Sequence, residues 1–247
     1  SYFGFVKYPS PAEFVSNLQG KKVKSIGRRG KYLFIHLSQG LNLIIHLRMT
    51  GRIIYSDSKL LPAKHTHGVF LFTDGSELHF HDVRKFGTMW LVDQDNLPIV
   101  SGLKNLGPEP LERDFTLKFF QEICNKSKST IKSLLLSQKA VAGIGNIYTD
   151  EALFRAGVDP SKKANMLNDS EIQRLWESVR FVLREGVKAR GTSISDYVDG
   201  TGKQGSFQKF LKVYGRNKEL CFVCSTVIQR KKIAGRSSFF CPHCQKL

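Results

Sequence analysis

Between residues 21 and 56, apolar positions come in short bursts: Val23 and Ile26, then Tyr32-Leu33-Phe34-Ile35, then Leu43-Ile44-Ile45, with Gly27, Gly30, Gly40 and Gly51 as punctuation. Alternation over runs this short predicts β-strands. A hairpin is predicted at 68–82, where Asp74-Gly75 separates two apolar runs and suits a two-residue turn. That register sets Thr73 opposite Ser76 and His67 opposite Asp82. Side chains alternate between faces, so His65 and His67 fall with Leu78, Phe80 and Asp82, and His79 and His81 fall on the other face with Phe70 and Phe72. The four histidines are therefore expected to be hydrogen-bonded surface or interface groups and not a shared metal site.

The pattern changes near residues 103–111, where Gly107-Pro108-Glu109-Pro110 marks a linker. Helical periodicity follows over 115–124, over 130–137, and from Asn146 to just before Gly157. A longer helix over 170–189 has its apolar stripe at Ile172, Leu175, Trp176, Val179, Leu183 and Val187, with Gly191 beyond its end. The expected fold class is α+β multidomain: a β-rich domain over 1–105, a helical domain over 106–202 and a small carboxyl-terminal module over 203–247.

That last module carries the most specific chemistry. Cys221 and Cys224, then Cys241 and Cys244, form two pairs separated by enough chain for one β-hairpin, which suits four thiolates around one structural Zn²⁺. Two disulfides would be the competing use of the four thiols. Cys124 sits in an apolar helical stretch and reads as a small hydrophobe. Between the cysteine pairs, the hairpin tip is expected at 232–236, where Gly235 permits a turn and Arg236 can project into a groove or against a phosphate.

Charge sharpens this picture. Residues 1–56 hold nine Lys or Arg against one acid, residues 57–202 nineteen of each, and residues 203–247 ten against one, within a total of +17. Two basic ends around a balanced middle suggest two positive surfaces that grip one polyanion, with a cleft between them. No apolar run of membrane-spanning length and no signal segment is seen, which argues for a reduced, cytosolic setting. In Ala142-Gly143-Ile144-Gly145-Asn146-Ile147-Tyr148, the glycines permit a sharp turn and Asn146 is a candidate N-cap. Free amides beyond it could meet a phosphate, although a tight turn alone would also account for the glycines.

Seven motifs in order carry a resemblance: Arg28-Arg29-Gly30-Lys31, His46-Leu47-Arg48-Met49-Thr50-Gly51-Arg52, Asp82-Val83-Arg84-Lys85-Phe86-Gly87, Leu106-Gly107-Pro108-Glu109-Pro110, Gly143-Ile144-Gly145-Asn146-Ile147-Tyr148, Val213-Tyr214-Gly215-Arg216 and the four cysteines. Together they resemble the bacterial formamidopyrimidine-DNA glycosylases, the 8-oxoguanine-removing branch of the family that includes endonuclease VIII. The resemblance implies a β-sandwich, a helix-two-turn-helix domain and a zinc finger clasping duplex DNA, with the damaged nucleotide rotated out of the stack.

It also implies site residues. Lys31, the lesion-site lysine, and Asn146 would hold phosphates beside the lesion, with Lys132 near them and Arg236 binding from the zinc finger. Met49, Arg84 and Phe86 would fill the void left by the everted base, and the loop Thr192-Ser193-Ile194-Ser195-Asp196-Tyr197 would cover that base. The implied activity is excision of oxidised purines (8-oxoguanine, formamidopyrimidines) with AP lyase cleavage, by a monomer in the bacterial cytoplasm at the nucleoid.

Family members begin with Pro-Glu-Leu-Pro-Glu, whereas this sequence begins Ser1-Tyr2-Phe3-Gly4. The position of Gly30-Lys31 implies about 25–30 fewer preceding residues, the length of a helix and a strand. The expectation is a fragment of an active enzyme. The alternative is a zinc-dependent damaged-DNA-binding protein without excision, and an RNA-binding zinc ribbon is the third class that cysteines and charge alone would allow.

Overall fold

The computed structural model describes residues 3–194 and 197–246. Packing divides the chain into two units, one running to Lys104 together with Arg190–Ser206, the other Asn105–Ala189 together with Phe207 onward. This grouping differs from the three-part sequence division. Residues 190–206 join the first unit, where the Tyr55 amide donates to the Gly200 carbonyl at 2.8 Å, and the cysteine-bearing module packs with the helices.

The first unit is two sheets facing one core. β1 (Val6–Tyr8), β8 (Thr88–Val92), β4 (Asn42–His46), β3 (Tyr32–Leu37) and β2 (Val23–Arg29) form one sheet in that order, and β5 (Gly51–Ser56), β7 (Glu77–Asp82) and β6 (Thr66–Leu71) form the other. Ile35, Leu43, Ile45, Met89 and Leu91 from the first sheet meet Phe80 from the second, while Phe5 and Phe14 join them, the latter from α1 (Pro11–Leu18). Burial of each such side chain contributes about 1.5–3 kcal/mol.

The β6–β7 register corrects the sequence expectation by one residue. Phe70 lies opposite Leu78 and Val69 opposite His79, because the turn has three residues, closed by the Phe72 amide donating to the Ser76 carbonyl at 3.0 Å and the Gly75 amide to the Phe72 carbonyl at 3.1 Å, with Gly75 at φ 86°. A one-residue slip exchanges the faces. The His65 and His81 rings, expected on opposite faces, meet with centroids 5.7 Å apart. His79 is buried and its Nε2 lies 2.7 Å from the Glu77 carboxylate, so it is not a surface group.

The second unit is helical. α2 (Leu117–Lys126), α3 (Ile131–Leu136), α4 (Asn146–Ala156) and α5 (Asp169–Lys188) surround a core that includes Phe120, Cys124, Ile131, Leu135, Leu153, Ile172, Leu175 and Val179. Asn168 and Glu171 form a reciprocal capping box at the start of α5, worth about 1 kcal/mol. The expected α5 stripe holds except at Val187, which is 70% exposed. Gly107-Pro108-Glu109-Pro110 is not a free linker: Gly107 donates to Gln138, and Pro108 and Pro110 carbonyls accept from Ala142 and Arg180. A Cβ on Gly107 would sit 2.1 Å from the Lys139 carbonyl oxygen, which is why glycine stands there. β9 (Gln229–Ile233) and β10 (Arg236–Phe240) complete the unit as an antiparallel hairpin. No helix among the described residues is long and apolar enough to cross a membrane.

Candidate nucleic-acid interface

In the first unit, the segment after β4 and the segment after β7 are tied together by Asp82. Its carboxylate is fully buried and accepts from the Thr50 hydroxyl, from the Gly87 amide at 2.7 Å and from the Arg84 amide at 3.2 Å. Burial alone would raise its pKa, but these hydrogen bonds, with one from the Phe86 amide, hold the carboxyl below its ordinary value. The residues above this anchor are exposed. Met49 is 66% exposed and Phe86 50%, and the Arg84 guanidinium donates to the Met49 Sδ at 3.3 Å and lies 4.9 Å from the Phe86 ring centre. An apolar pair bridged by a guanidinium, presented to solvent on an ordered base, marks a contact surface. The three residues that the resemblance linked are thus brought together.

Lys31 occupies the two-residue turn between β2 and β3, after Gly30 at φ 56°, and is exposed. At the end of β4, His46 accepts the Arg48 amide on Nδ1 at 3.0 Å. Burial first, then the Arg48 and Lys31 charges, press the imidazole pKa down to about 4. His46 is thus neutral at physiological pH, held so first by burial and then by the Arg48 and Lys31 charges.

In the second unit, α4 presents Asn146 and Asp150 to the hairpin strand β10 and to Lys132 of α3. Asn146 Nδ2 donates to the Ser237 carbonyl at 2.9 Å, Asp150 accepts from the Phe239 amide at 3.0 Å and from Lys132 Nζ at 2.6 Å, and Lys132 donates also to the Ser237 carbonyl at 3.0 Å. A two-stranded hairpin leaves open edges, and these side chains satisfy the β10 edge. Two expectations change. Asn146 is the first helical residue and not the N-cap, which is Gly145, because the Asn146 amide turns to β10. Lys132 is fully buried against Asp150, so its ammonium is not presented to solvent as the expectation of a nearby phosphate requires. Arg236 stands exposed at the hairpin tip, beside a two-residue turn in which Ala234 and Gly235 both have positive φ.

The four cysteine Sγ atoms lie within 4.8 Å of one another, with separations of 3.4, 3.4 and 3.9 Å among three pairs. A zinc tetrahedron with bonds near 2.3 Å has edges of about 3.8 Å, so the four thiolates fit one structural Zn²⁺. The Val223 and Cys244 amides point at the Cys221 and Cys241 sulfurs at 3.5 and 3.4 Å, which stabilises thiolate charge. Among the described residues this is the cluster with metal-ligand geometry.

Of the expected covering loop, Ser195 and Asp196 lie outside the described residues. Thr192 is 9% exposed, Ile194 and Tyr197 are exposed, and the Ser193 hydroxyl donates to the Tyr197 carbonyl at 2.7 Å while accepting from the Gly205 amide at 3.0 Å. The sequence assigns no functional role to Asp82, Asp150 or Glu151. Glu151 accepts three successive backbone amides, those of Lys212, Val213 and Tyr214, at 2.9, 3.0 and 2.9 Å. The available signal was two adjacent acids inside a helix of a strongly basic chain.

The formamidopyrimidine-DNA glycosylase N-terminal domain matches residues 4–89, its H2TH domain residues 106–198, and the zinc finger found in FPG and IleRS residues 215–247. The formamidopyrimidine-DNA glycosylase of Pelotomaculum thermopropionicum is 46% identical, covering 98% of this chain and 88% of its own. The chain belongs to the formamidopyrimidine-DNA glycosylase family. Its relative from Heliobacterium modesticaldum is 48% identical over 94% of this chain and 85% of its own. Among solved structures, the Lactococcus lactis Fpg in complex with abasic-site DNA superposes with a TM-score of 0.88 at 39% identity, covering 96% of this chain and 86% of that one. The Thermus thermophilus MutM (FPG) protein gives 0.87 at 38%, covering 93% and 85%. The fold class within this family is a sheet-built amino-terminal domain, an H2TH domain and a zinc finger with a β-hairpin.

Proposed function

We propose that this protein is a base-excision repair DNA glycosylase with AP lyase activity, acting on oxidised purines (8-oxoguanine, formamidopyrimidines) in duplex DNA. It acts as a monomer in the bacterial cytoplasm at the nucleoid, through functional modules at 1–105, 106–202 and 203–247. Family membership supplies the reaction class. The observation that carries the reading to this chain's own residues is the exposed Met49–Arg84–Phe86 set above the buried Asp82.

A thioether and a phenyl ring held out of the core can wedge into the gap that an everted nucleotide leaves, and the Arg84 guanidinium can donate to the orphaned cytosine. Lys31, the Asn146 amide and Arg236 hold phosphates, which positions the strand without reading sequence. Lys132 acts from behind, and Thr192–Tyr197 covers the everted base. The zinc, held by Cys221, Cys224, Cys241 and Cys244, supplies rigidity to the module that carries Arg236 and takes no part in the chemistry.

Borohydride trapping of the full-length gene product on a duplex containing 8-oxoguanine tests the proposal. A covalent protein–DNA adduct together with strand nicking is expected. Tight binding to the damaged duplex with neither adduct nor nicking would overturn it in favour of a binding protein without excision.

A further inference from the structure

We infer that Asp150 and Lys132 form a buried clamp that positions Asn146 and Arg236 as one phosphate-gripping unit, with the Ser237 carbonyl as the shared pivot. The inference rests on the DNA-binding role proposed above and extends it to residues that do not reach DNA. Ser237 directly follows Arg236, and its carbonyl accepts from Asn146 at 2.9 Å and from Lys132 at 3.0 Å. Asp150 then fixes both sides of that pivot. One of its oxygens holds Lys132 at 2.6 Å, and the other holds the Phe239 amide at 3.0 Å, two residues further along β10.

Lys132 is 0% and Asp150 1% exposed, so neither can be a ligand-binding side chain itself. A buried ion pair is a weak source of net stability and its best-attested use is to fix register. Here the register fixed is that of β10 against the first turns of α4. A slip of β10 by one residue would replace the Ser237 carbonyl by a neighbour and carry Arg236 away from Asn146. The adjacent Glu151 holds the three amides of 212–214 by the same logic, so α4 uses two neighbouring acids to seat the zinc module at two points. Asp150 is thus a positioning residue.

The test replaces the pair with apolar residues of similar size, Lys132→Met with Asp150→Leu, which preserves packing while removing the clamp. Zinc content and the thermal midpoint establish that the variant is folded. Amide hydrogen exchange is expected to show at least about tenfold faster exchange at Phe239, because its acceptor is gone. Affinity is read on a tetrahydrofuran abasic duplex and on an undamaged one. Binding is expected to weaken about tenfold, with the salt slope reduced by about one phosphate contact. Arg236→Ala, costly in the wild type, should then cost little more on the variant background.

Undiminished Arg236→Ala loss on the variant background, or an unchanged salt slope, would overturn the clamp. Should the apolar pair not fold, Asp150→Asn, which keeps an oxygen for the Phe239 amide, gives the same cycle with an intermediate effect expected and the same contrary result. Equal wild-type affinity for the two duplexes would contradict the function proposed above. The exchange measurement and the cycle, read on either duplex, would still decide the clamp.

Discussion

Two buried carboxylates anchor the two regions that carry candidate DNA contacts, and they are stabilised in opposite ways. Asp82 has only neutral donors, a hydroxyl and backbone amides, and those amides lie two to five residues ahead of it. Asp150 faces a buried ammonium and reaches a strand 89 residues away. The first gathers two loop segments into a platform for side chains that stand in solvent; the second ties a helix to a strand of the zinc module. A platform of the first kind can be disturbed without disturbing the fold, whereas loss of the second leaves an uncompensated charge in the core.

The largest expected effect isolates the second region. Chelation of the zinc removes about 10 kcal/mol or more of binding free energy that is also folding free energy. It should melt the β9–β10 hairpin and lower affinity for duplex DNA by more than about a hundredfold at moderate salt. Proton spectra of Met49 and His46 should stay native; their loss would show that the regions do not fold independently.

Next come the anchors themselves. Asp150→Ala strands Lys132 in the interior and should cost about 3–5 kcal/mol in urea unfolding. Asp82→Asn keeps the shape but turns a donor towards donors, at about 2–3 kcal/mol. Reversal of that order would break the contrast between a charge-paired and a locally hydrogen-bonded acid.

Above the Asp82 platform, Met49→Ala with Phe86→Ala should change stability by no more than about 0.5 kcal/mol, since both side chains are exposed, while excision of 8-oxoguanine in single-turnover assays falls at least about tenfold.

A pH dependence probes the same region from another side. His46 titrates near 4 in the folded chain against an ordinary 6.5. The unfolded chain therefore takes up this proton first, so the His46 contribution to stability is complete above pH 6.5 and is lost as pH falls towards 4. His46→Asn should flatten the stability profile across that window relative to the wild type. An unchanged slope would show that the folded chain does not hold His46 neutral by burial and the neighbouring Arg48 and Lys31 charges.

How far the sequence discloses these features depends on how far apart the partners are. The strands within 21–56, the paired strands at 68–82, the helix from Asn146 to before Gly157, the hairpin tip at Arg236 and the cysteine quartet follow from local periodicity, turn residues or ligand spacing, whereas β1 and β8, short strands far apart in the chain that pair Val6 with Met89, do not. Met49, Arg84 and Phe86 come from short motifs and converge because Asp82 gathers both segments. The Asp74-Gly75 turn misled because that dipeptide serves two- and three-residue loops alike, and one residue decides which face each histidine takes. Local pattern places Asn146 at an N-cap, whereas its partner is a carbonyl on β10, 91 residues on, which no local pattern announces. The burial of Lys132 is hidden for the same reason: nothing around residue 132 signals that Asp150 and Ser237 enclose it.

The affinity ratio between a tetrahydrofuran abasic duplex and its undamaged counterpart tests the central assignment most directly, measured for the wild type and for Met49→Ala/Arg84→Ala/Phe86→Ala. If these three side chains occupy the gap in the helix, the wild type prefers the abasic duplex, and in the triple variant the ratio falls to near one with an unchanged salt slope. A triple variant that keeps the wild-type ratio would contradict the account.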